Sequence, residues 1–468
     1  MAILGLAMNH GLSFSPFTNI AAAGTACNTE LTSSSNDLYN SRNIISIKAL
    51  PVELLTAIFD LCLPNGLSSD PDVPTLVCII SVCRHWRAVA LTAPHLWARL
   101  MLWDPRRWQM KMVEQWLDRS QSCPLTLAIR HSSGDAVFRG EVLAATHQIL
   151  TSFLRHLHRW KSITLRLERF AAFHLLPPDP AAAPSLERVE VCIGDACFDP
   201  QKAVQFWRTI FAYPALRRVS WICGSQPSYL TDGFYTGWER LTHIHSQFVV
   251  DDMFFDILAC CRSLEVLDVE SLEPSNHPII KRDRVVIPSL RSLIIRDGGL
   301  STATVLEQLV LPSLRKADLY LLGSGLKAWI NLLTRSGCFI VDLALHIEGN
   351  TQKVDVAILL SAPSLMHLEK LEASFTDGTN FLVQQLACIA DHPFPALRHL
   401  DLRLEVERCA EGSIAGMVQA RTQCSHSALE RIIINHYPIG SELAELSLDA
   451  QLLRQIHVDG LDVEYFGD

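Results

Sequence analysis

Apolar side chains between Leu54 and Cys62 recur every three or four residues: Leu54, Leu55, Ile58, Phe59, Leu61, Cys62. That spacing predicts a helix with an apolar stripe. Pro51 suits the first helical turn, where its missing N–H costs nothing, and Glu53 there favours the helix dipole. Pro64-Asn65-Gly66 ends the helix, and Ser68 to Asp72 reads as a polar loop. A second helical stretch runs from Pro74 to Val82 and a third from Cys83 to Leu91. In the third, Trp86, Val89 and Ala90 face inward, with Arg84 and Arg87 outward. Pro94 breaks the pattern, and Leu96-Trp97 anchors the exit. An apolar and aromatic set this dense exceeds what about 60 residues can bury in themselves. The segment must pack on the rest of the chain, on a partner, or on both.

Residues 105–122 read as a connecting helix, with Trp108, Met112 and Trp116 on one face at i, i+4, i+8 as packing residues. Cys123-Pro124-Leu125-Thr126-Leu127 then alternates like a first strand. From there a unit recurs: a leucine, two variable residues, an apolar residue, one variable residue, an apolar residue. Copies include Leu186-x-x-Val189-x-Val191, Leu264-x-x-Leu267-x-Val269, Leu290-x-x-Leu293-x-Ile295, Leu314-x-x-Ala317-x-Leu319, Leu397-x-x-Leu400-x-Leu402 and Leu453-x-x-Ile456-x-Val458. The period is about 23–32 residues. Proline often precedes the unit, as in Pro184-Ser185-Leu186, Pro288-Ser289-Leu290 and Pro312-Ser313-Leu314. It stops one helix and opens the next strand. Helical patterns such as Met253 to Ala259 and Phe381 to Ala387 lie between. Strand and helix alternating at this period give a parallel sheet with helices on one face. No unit buries its apolar side alone, so neighbours stack into a solenoid.

The motifs now support two resemblances. Leu50-Pro51-x-Glu53-Leu54-Leu55-x-x-Ile58-Phe59, then Val82-Cys83-Arg84-x-Trp86-Arg87 and Pro94-x-Leu96-Trp97, resemble an F-box, in the version found across basidiomycete fungi. The resemblance implies that residues 44–104 dock on the Skp-family adaptor, and through it on the cullin, of an SCF-type ubiquitin ligase. Carried over residue by residue, Leu50, Pro51, Leu54, Leu55, Ile58, Val82, Cys83 and Trp86 match the family's adaptor contacts. The alternative is that these residues form the local core of a helical cap, as Phe59 and Trp97 could. Residues 123–468 resemble a degenerate leucine-rich-repeat array. The usual asparagine or cysteine after the strand is replaced by Gly194, Gly224, Leu272, Gly298 or Glu405. No asparagine ladder exists, and an irregular α/β array without a horseshoe is the other reading.

On such strands alternate residues point to the open face. That set includes Arg188, Glu190, Arg218, His243, His245, Asp268, Glu270, Arg296, Lys316, Asp318 and Tyr320. It continues with Asp342, His346, Lys370, Glu372, His399, Asp401, Arg403, Arg431, Asn435, His457 and Asp459. About eleven strands at ~4.8 Å span roughly 50 Å, which suits a protein or peptide target better than a small molecule. Within it, His243, His245, Asp268, Glu270, Arg296, Lys316, Tyr320, His346, Lys370, Asp401 and Arg403 are the candidate contacts. Their charges alternate in sign, unlike a nucleic-acid track.

Composition narrows the class further. Net charge is −9, which disfavours a broad phosphate-binding surface. No apolar run approaches the roughly 18 residues of a membrane span, despite 49% hydrophobic residues. No Lys or Arg precedes Arg42, so residues 1–43 resemble neither a secretory signal nor a transit peptide and read as a disordered tail. The 14 cysteines include no CxxC pair, and His243-x-His245 lacks a third ligand nearby, so neither metal nor cofactor is expected. No GxSxG, GxxxxGK, HExxH or GxGxxG occurs, which leaves no catalytic motif. The expectation is a non-enzymatic substrate adaptor in cytoplasm or nucleus. A non-ligase interaction scaffold is the alternative.

Overall fold

Three short helices open the computed structural model: α1 (Val52–Cys62), α2 (Val73–Val82) and α3 (Arg84–Leu91). Strand and helix then alternate to the end. The structure describes residues 50–63, 73–132, 139–167, 179–193, 200–223, 237–275, 283–376, 379–387, 394–405, 409–422, 428–437, 448–453, 455 and 462–467. The expected tail at 1–43, the Ser68 to Asp72 loop, Gly194, Gly224, His457 and Asp459 lie outside them.

The main sheet is 14-stranded and parallel throughout. Its strands are β1 (Arg99–Trp103), β2 (Leu125–Arg130), β3 (Trp160–Leu167), β4 (Arg188–Ile193), β5 (Arg218–Cys223), β6 (His243–Val250) and β7 (Val266–Pro274). After β7 come β9 (Ser292–Ile295), β11 (Lys316–Leu322), β12 (Asp342–Glu348), β13 (Lys370–Phe375), β14 (His399–Glu405), β15 (Arg431–Tyr437) and β16 (Asp462–Gly467). The short strands β8 (Val285–Val286) and β10 (Leu309–Val310) pair with each other apart from it. Helices fill the returns: α4 (Met110–Arg119), α5 (Arg139–Leu154), α6 (Pro200–Ala212), α7 (Asp252–Cys260), α8 (Leu300–Gln308), α9 (Gly325–Ser336), α10 (Lys353–Leu360), α11 (Thr379–Leu386), α12 (Ser413–Thr422) and α13 (Leu448–Leu453). This is the mixed α/β solenoid that the repeating unit predicts. The unit's leucines are buried, from Leu186 and Leu264 to Leu290 and Leu397.

Three details differ from the sequence reading. The sheet starts one strand early: β1 pairs with β2 in parallel, Arg99 opposite Thr126. The stretch 105–122 is therefore the return helix of a first repeat rather than a connector, and the helical module runs straight into the array. Trp108 sits in the turn before α4 and is 62% exposed, while Trp116 is buried. Leu272, expected in a turn, stays within β7 and is buried.

Module and array share one core. Trp97 Nε1 donates to the Ala90 carbonyl at 2.8 Å, and Trp116 Nε1 to the Arg99 carbonyl at 3.0 Å. The two indoles meet edge to face with centroids 4.8 Å apart. Leu55, Phe59 and Trp97 belong to the same buried cluster as the leucines of the strands.

Without an asparagine ladder, two other devices bind successive turns. The residue entering each strand donates its N–H to the previous entry, as in Glu187 to Lys161, Arg291 to Glu265, Val341 to Arg315 and Glu430 to Arg398, at 2.7–2.9 Å. Arginines also reach back to carbonyls at the end of the preceding unit's helix. Arg240 Nη2 donates to Phe211 O at 2.8 Å, Arg335 Nε to Leu309 O at 2.8 Å, and Arg421 Nε to Leu386 O at 2.7 Å. Helix ends leave carbonyls unpaired and carry partial negative charge, so a guanidinium there satisfies both needs. Burial pushes the Arg335 pKa down to about 10.

Arg421 is 5% exposed, so its loss takes a buried donor from the Leu386 carbonyl. Arg421→Ala is expected to cost about 1.5–3 kcal/mol, the range for hydrogen bonds to charged groups. Hydrogen exchange should accelerate first in α11 and α12. Unchanged exchange there would deny Arg421 this stapling role.

Candidate functional site

Two surfaces stand out. On α1 the apolar residues split into two stripes. Leu55 and Phe59 are wholly buried, and Leu63 just beyond is buried too. Leu54, Ile58 and Leu61 point out, at 54%, 39% and 77% exposure. Val77 and Val82 on α2 are also exposed. This corrects one expected adaptor contact: Leu55 is core, because it and Phe59 form the inward stripe. Leu50 is half-buried and Pro51 exposed. Cys83 caps α3, its Sγ accepting from Trp86 N at 3.4 Å. The half-buried Trp86 packs on Phe59 with ring centroids 5.0 Å apart. Arg87, expected outward, is partly buried and donates to Ile80 O at 2.9 Å. Leu61 and Val77 were missed as exposed residues. The signal was present in the 54–58–61 spacing, but that stripe looks the same from sequence as the buried one.

The open face of the sheet is the second surface. Its charges alternate along each strand, yet across strands they segregate into rows. In register lie Arg188, Arg218, His243, Val266, Ser292, Lys316, Asp342, Lys370, His399, Arg431 and Asp462. In that row five Arg and Lys outnumber two Asp. Two residues further along, Glu190, Asp268, Asp318, Glu372, Asp401 and Glu464 share a row without a lysine or arginine. Neighbouring donors meet this acidic row. Glu190 takes Arg166 at 2.9 Å and Arg188 at 3.2 Å, Glu372 takes Arg403 at 2.7 Å, and Glu464 takes Arg431 at 2.6 Å. Asp401 accepts from Asn435 Nδ2 at 3.0 Å, and Arg296 pairs with Asp268. Burial, with Glu372 beside it, raises the Asp401 pKa.

The sequence also places His346 on this face as a displayed contact. It is instead buried, at 8% exposure, because its ring stacks on Tyr320 with centroids 4.2 Å apart. Alternation fixes the direction of a side chain but not its depth. Lys316, Lys370 and Arg296 are exposed, and His243, Glu270 and Arg403 are partly so.

His243 and His245 point the same way, but each ring is occupied. Thr242 Oγ1 lies 2.9 Å from His243 Nδ1, and Ser220 Oγ lies 3.0 Å from His245 Nδ1. Burial, aided by Arg218, lowers the His243 pKa. His245 Nε2 stands 3.5 Å from Glu270 Oε2, which gives a serine–imidazole–carboxylate line across three strands. A relay also needs oxyanion donors beside the serine. Strand β5 is paired on both edges at Ser220, to Glu190 and to His245, so its own main chain is committed to the sheet there. Glu270 is drawn to Arg296 as well, at 3.3 Å.

A cleft of about 610 Å³ lies where the ends of the helices meet the strands, lined by Asp118, Gln121, His156, His158 and Arg159 among others. Its arginine is committed to the Cys123 carbonyl at 3.0 Å and to Ser120 at 2.6 Å. Burial and the adjacent Arg159 lower the His156 pKa. Among the described residues no helix is long and apolar enough to cross a membrane.

Comparison with known proteins bears on the first surface. The F-box-like family pattern matches residues 47–103, so the N-terminal helices form an F-box-like domain. No curated protein matches the chain. Among solved structures, a Bacteroides fragilis protein from a structural genomics consortium is 13% identical. That match covers 69% of this chain and 83% of that one, with a TM-score of 0.33. Nothing further follows from a likeness at that score.

Proposed function

We propose that this chain is the substrate-recognition subunit of an SCF-type ubiquitin ligase, with a basidiomycete-type F-box and a leucine-rich-repeat-like target domain. The F-box-like domain holds the Skp-family adaptor and through it the cullin, and the open face of the sheet holds a target protein. The observation that carries this reading is the second apolar stripe of α1. Leu54, Ile58 and Leu61 are exposed on a helix whose other stripe already closes the core. Exposed large apolar groups clustered on one element mark an interaction site.

The chain itself performs no chemistry in this account. It raises ubiquitin transfer by holding the acceptor lysine near a charged carrier, an effect of proximity. The row-patterned face gives the target a defined register, since a like-charge mismatch there is costly. The protein would act in cytoplasm or nucleus.

Affinity capture from cells tests the proposal. Recovery of both adaptor and cullin is the expected result. Recovery of the adaptor without cullin favours a non-ligase scaffold, and recovery of neither overturns the reading.

A further inference from the structure

Of the carboxylates in the acidic row, Asp318 differs from the rest. Its Oδ1 is closed to solvent and has no hydrogen-bond donor among the described residues. The titratable nitrogen facing it is His346 Nε2, 3.9 Å away. That same nitrogen stands 3.8 Å from Glu372 Oε1. The Tyr320 ring, stacked at 21°, holds the imidazole in this position. A buried acceptor ordinarily has a donor. A side chain from a docking partner cannot reach Oδ1, because the atom is sealed. A proton can.

We infer that Asp318, His346 and Glu372 form a proton-binding site set into the open face of the sheet. One proton taken up by the imidazole makes both ring nitrogens N–H donors, so that Nε2–H faces the two carboxylates whichever neutral tautomer preceded it, and raises the local charge by one. Glu372 Oε1 is then shared between the imidazolium and Arg403 Nη2, which now holds it at 2.7 Å.

The surrounding charges come from every neighbouring strand. Asp318, Lys316 and Tyr320 lie on β11, Glu372 and Lys370 on β13, Asp401 and Arg403 on β14, and Arg296 follows β9. Burial lowers the His346 pKa; Glu372 and Asp318 pull it up, and Arg403 pushes it down. Burial likewise raises the Asp318 pKa, against His346 and Arg296. Uptake therefore falls on the acid side of the ordinary imidazole range. A histidine with its folded pKa below 6.5 adds stability above that pH and loses it as pH falls through the folded value. Target docking becomes proton-linked only if the open face is the docking surface proposed above. The proton site itself does not depend on that reading.

The test is NMR of the full chain carrying ring-labelled histidine, titrated with no target or adaptor present. His346→Gln identifies the signal, and its contact with the Tyr320 ring identifies it if that variant does not fold. The expected result is a midpoint below the ordinary imidazole value of about 6.5. Asp318→Asn should move the midpoint down further, because it removes an attractive charge. The proposal is overturned if His346 titrates at or above the ordinary imidazole value of about 6.5, if Asp318→Asn leaves its midpoint in place, or if the ring stays neutral until the chain unfolds.

Discussion

Leu54→Glu combined with Ile58→Glu is expected to abolish capture of the proposed Skp-family adaptor and to leave the chain folded. Both side chains lie on the exposed stripe of α1, so the glutamates stay in water and the core keeps its contacts. At an apolar interface the same two charges must be desolvated without partners, which costs several kcal/mol each. Pull-down and a thermal melt of the same variant give the two readouts. Leu55 supplies the contrast. It is 0% exposed, so Leu55→Ala should cost about 2–5 kcal/mol of stability through the cavity it leaves. A double substitution at Leu54 and Leu55 would confuse a lost surface with a lost fold. Adaptor capture that survives Leu54→Glu with Ile58→Glu would show that this stripe is not the docking face.

Trp207→Ala should destabilise the array by about 3–5 kcal/mol. Trp207 is 1% exposed on α6 and meets Trp221 of β5 edge to face at 5.1 Å. Phe206 and Phe211 border the same ring at 5.3 and 5.9 Å. Here aromatics fill the space between helix and sheet that leucines fill elsewhere, and no neighbour can collapse into so large a void. Trp207→Phe should cost much less, because it keeps a ring in place. It also removes an indole N–H that has no acceptor among the described residues. Urea unfolding of the three proteins makes the comparison. Equal losses for Ala and Phe would mean that packing at this position is not what matters.

Much of the array was legible in the sequence. The unit leucine with its two apolar followers places β4, β9, β11 and β14, because period-2 burial and a preceding proline are local signals. Strand β1 was not legible. Arg99-Leu100-Met101-Leu102-Trp103 follows a helical module and reads as its exit, and only pairing with β2 makes it a strand. Leu54 and Leu55 could not be told apart, because a helix apolar on two sides carries no mark of which side is inward. The arginine staples were hidden for another reason. Their acceptors are main-chain carbonyls, to which the sequence gives no letter. His346 was assigned the right face and the wrong depth, since its burial depends on the Tyr320 ring of the neighbouring strand.

The joint between β1 and the helices bears on how this chain can be taken apart. Strand β1 is the terminal strand of the sheet, and α2 packs against it. In stacked-repeat proteins the end unit needs a cap to keep its apolar side from water. The helical segment therefore does duty as a lid on the first rung as well as a handle. It cannot be lifted out as an interchangeable cassette: a truncation placed before β1 would uncover Leu100 and Leu102 along with the indole of Trp116. Grafting another target domain onto these helices would need β1, α4 and β2 carried along, so that the seam falls between two repeats.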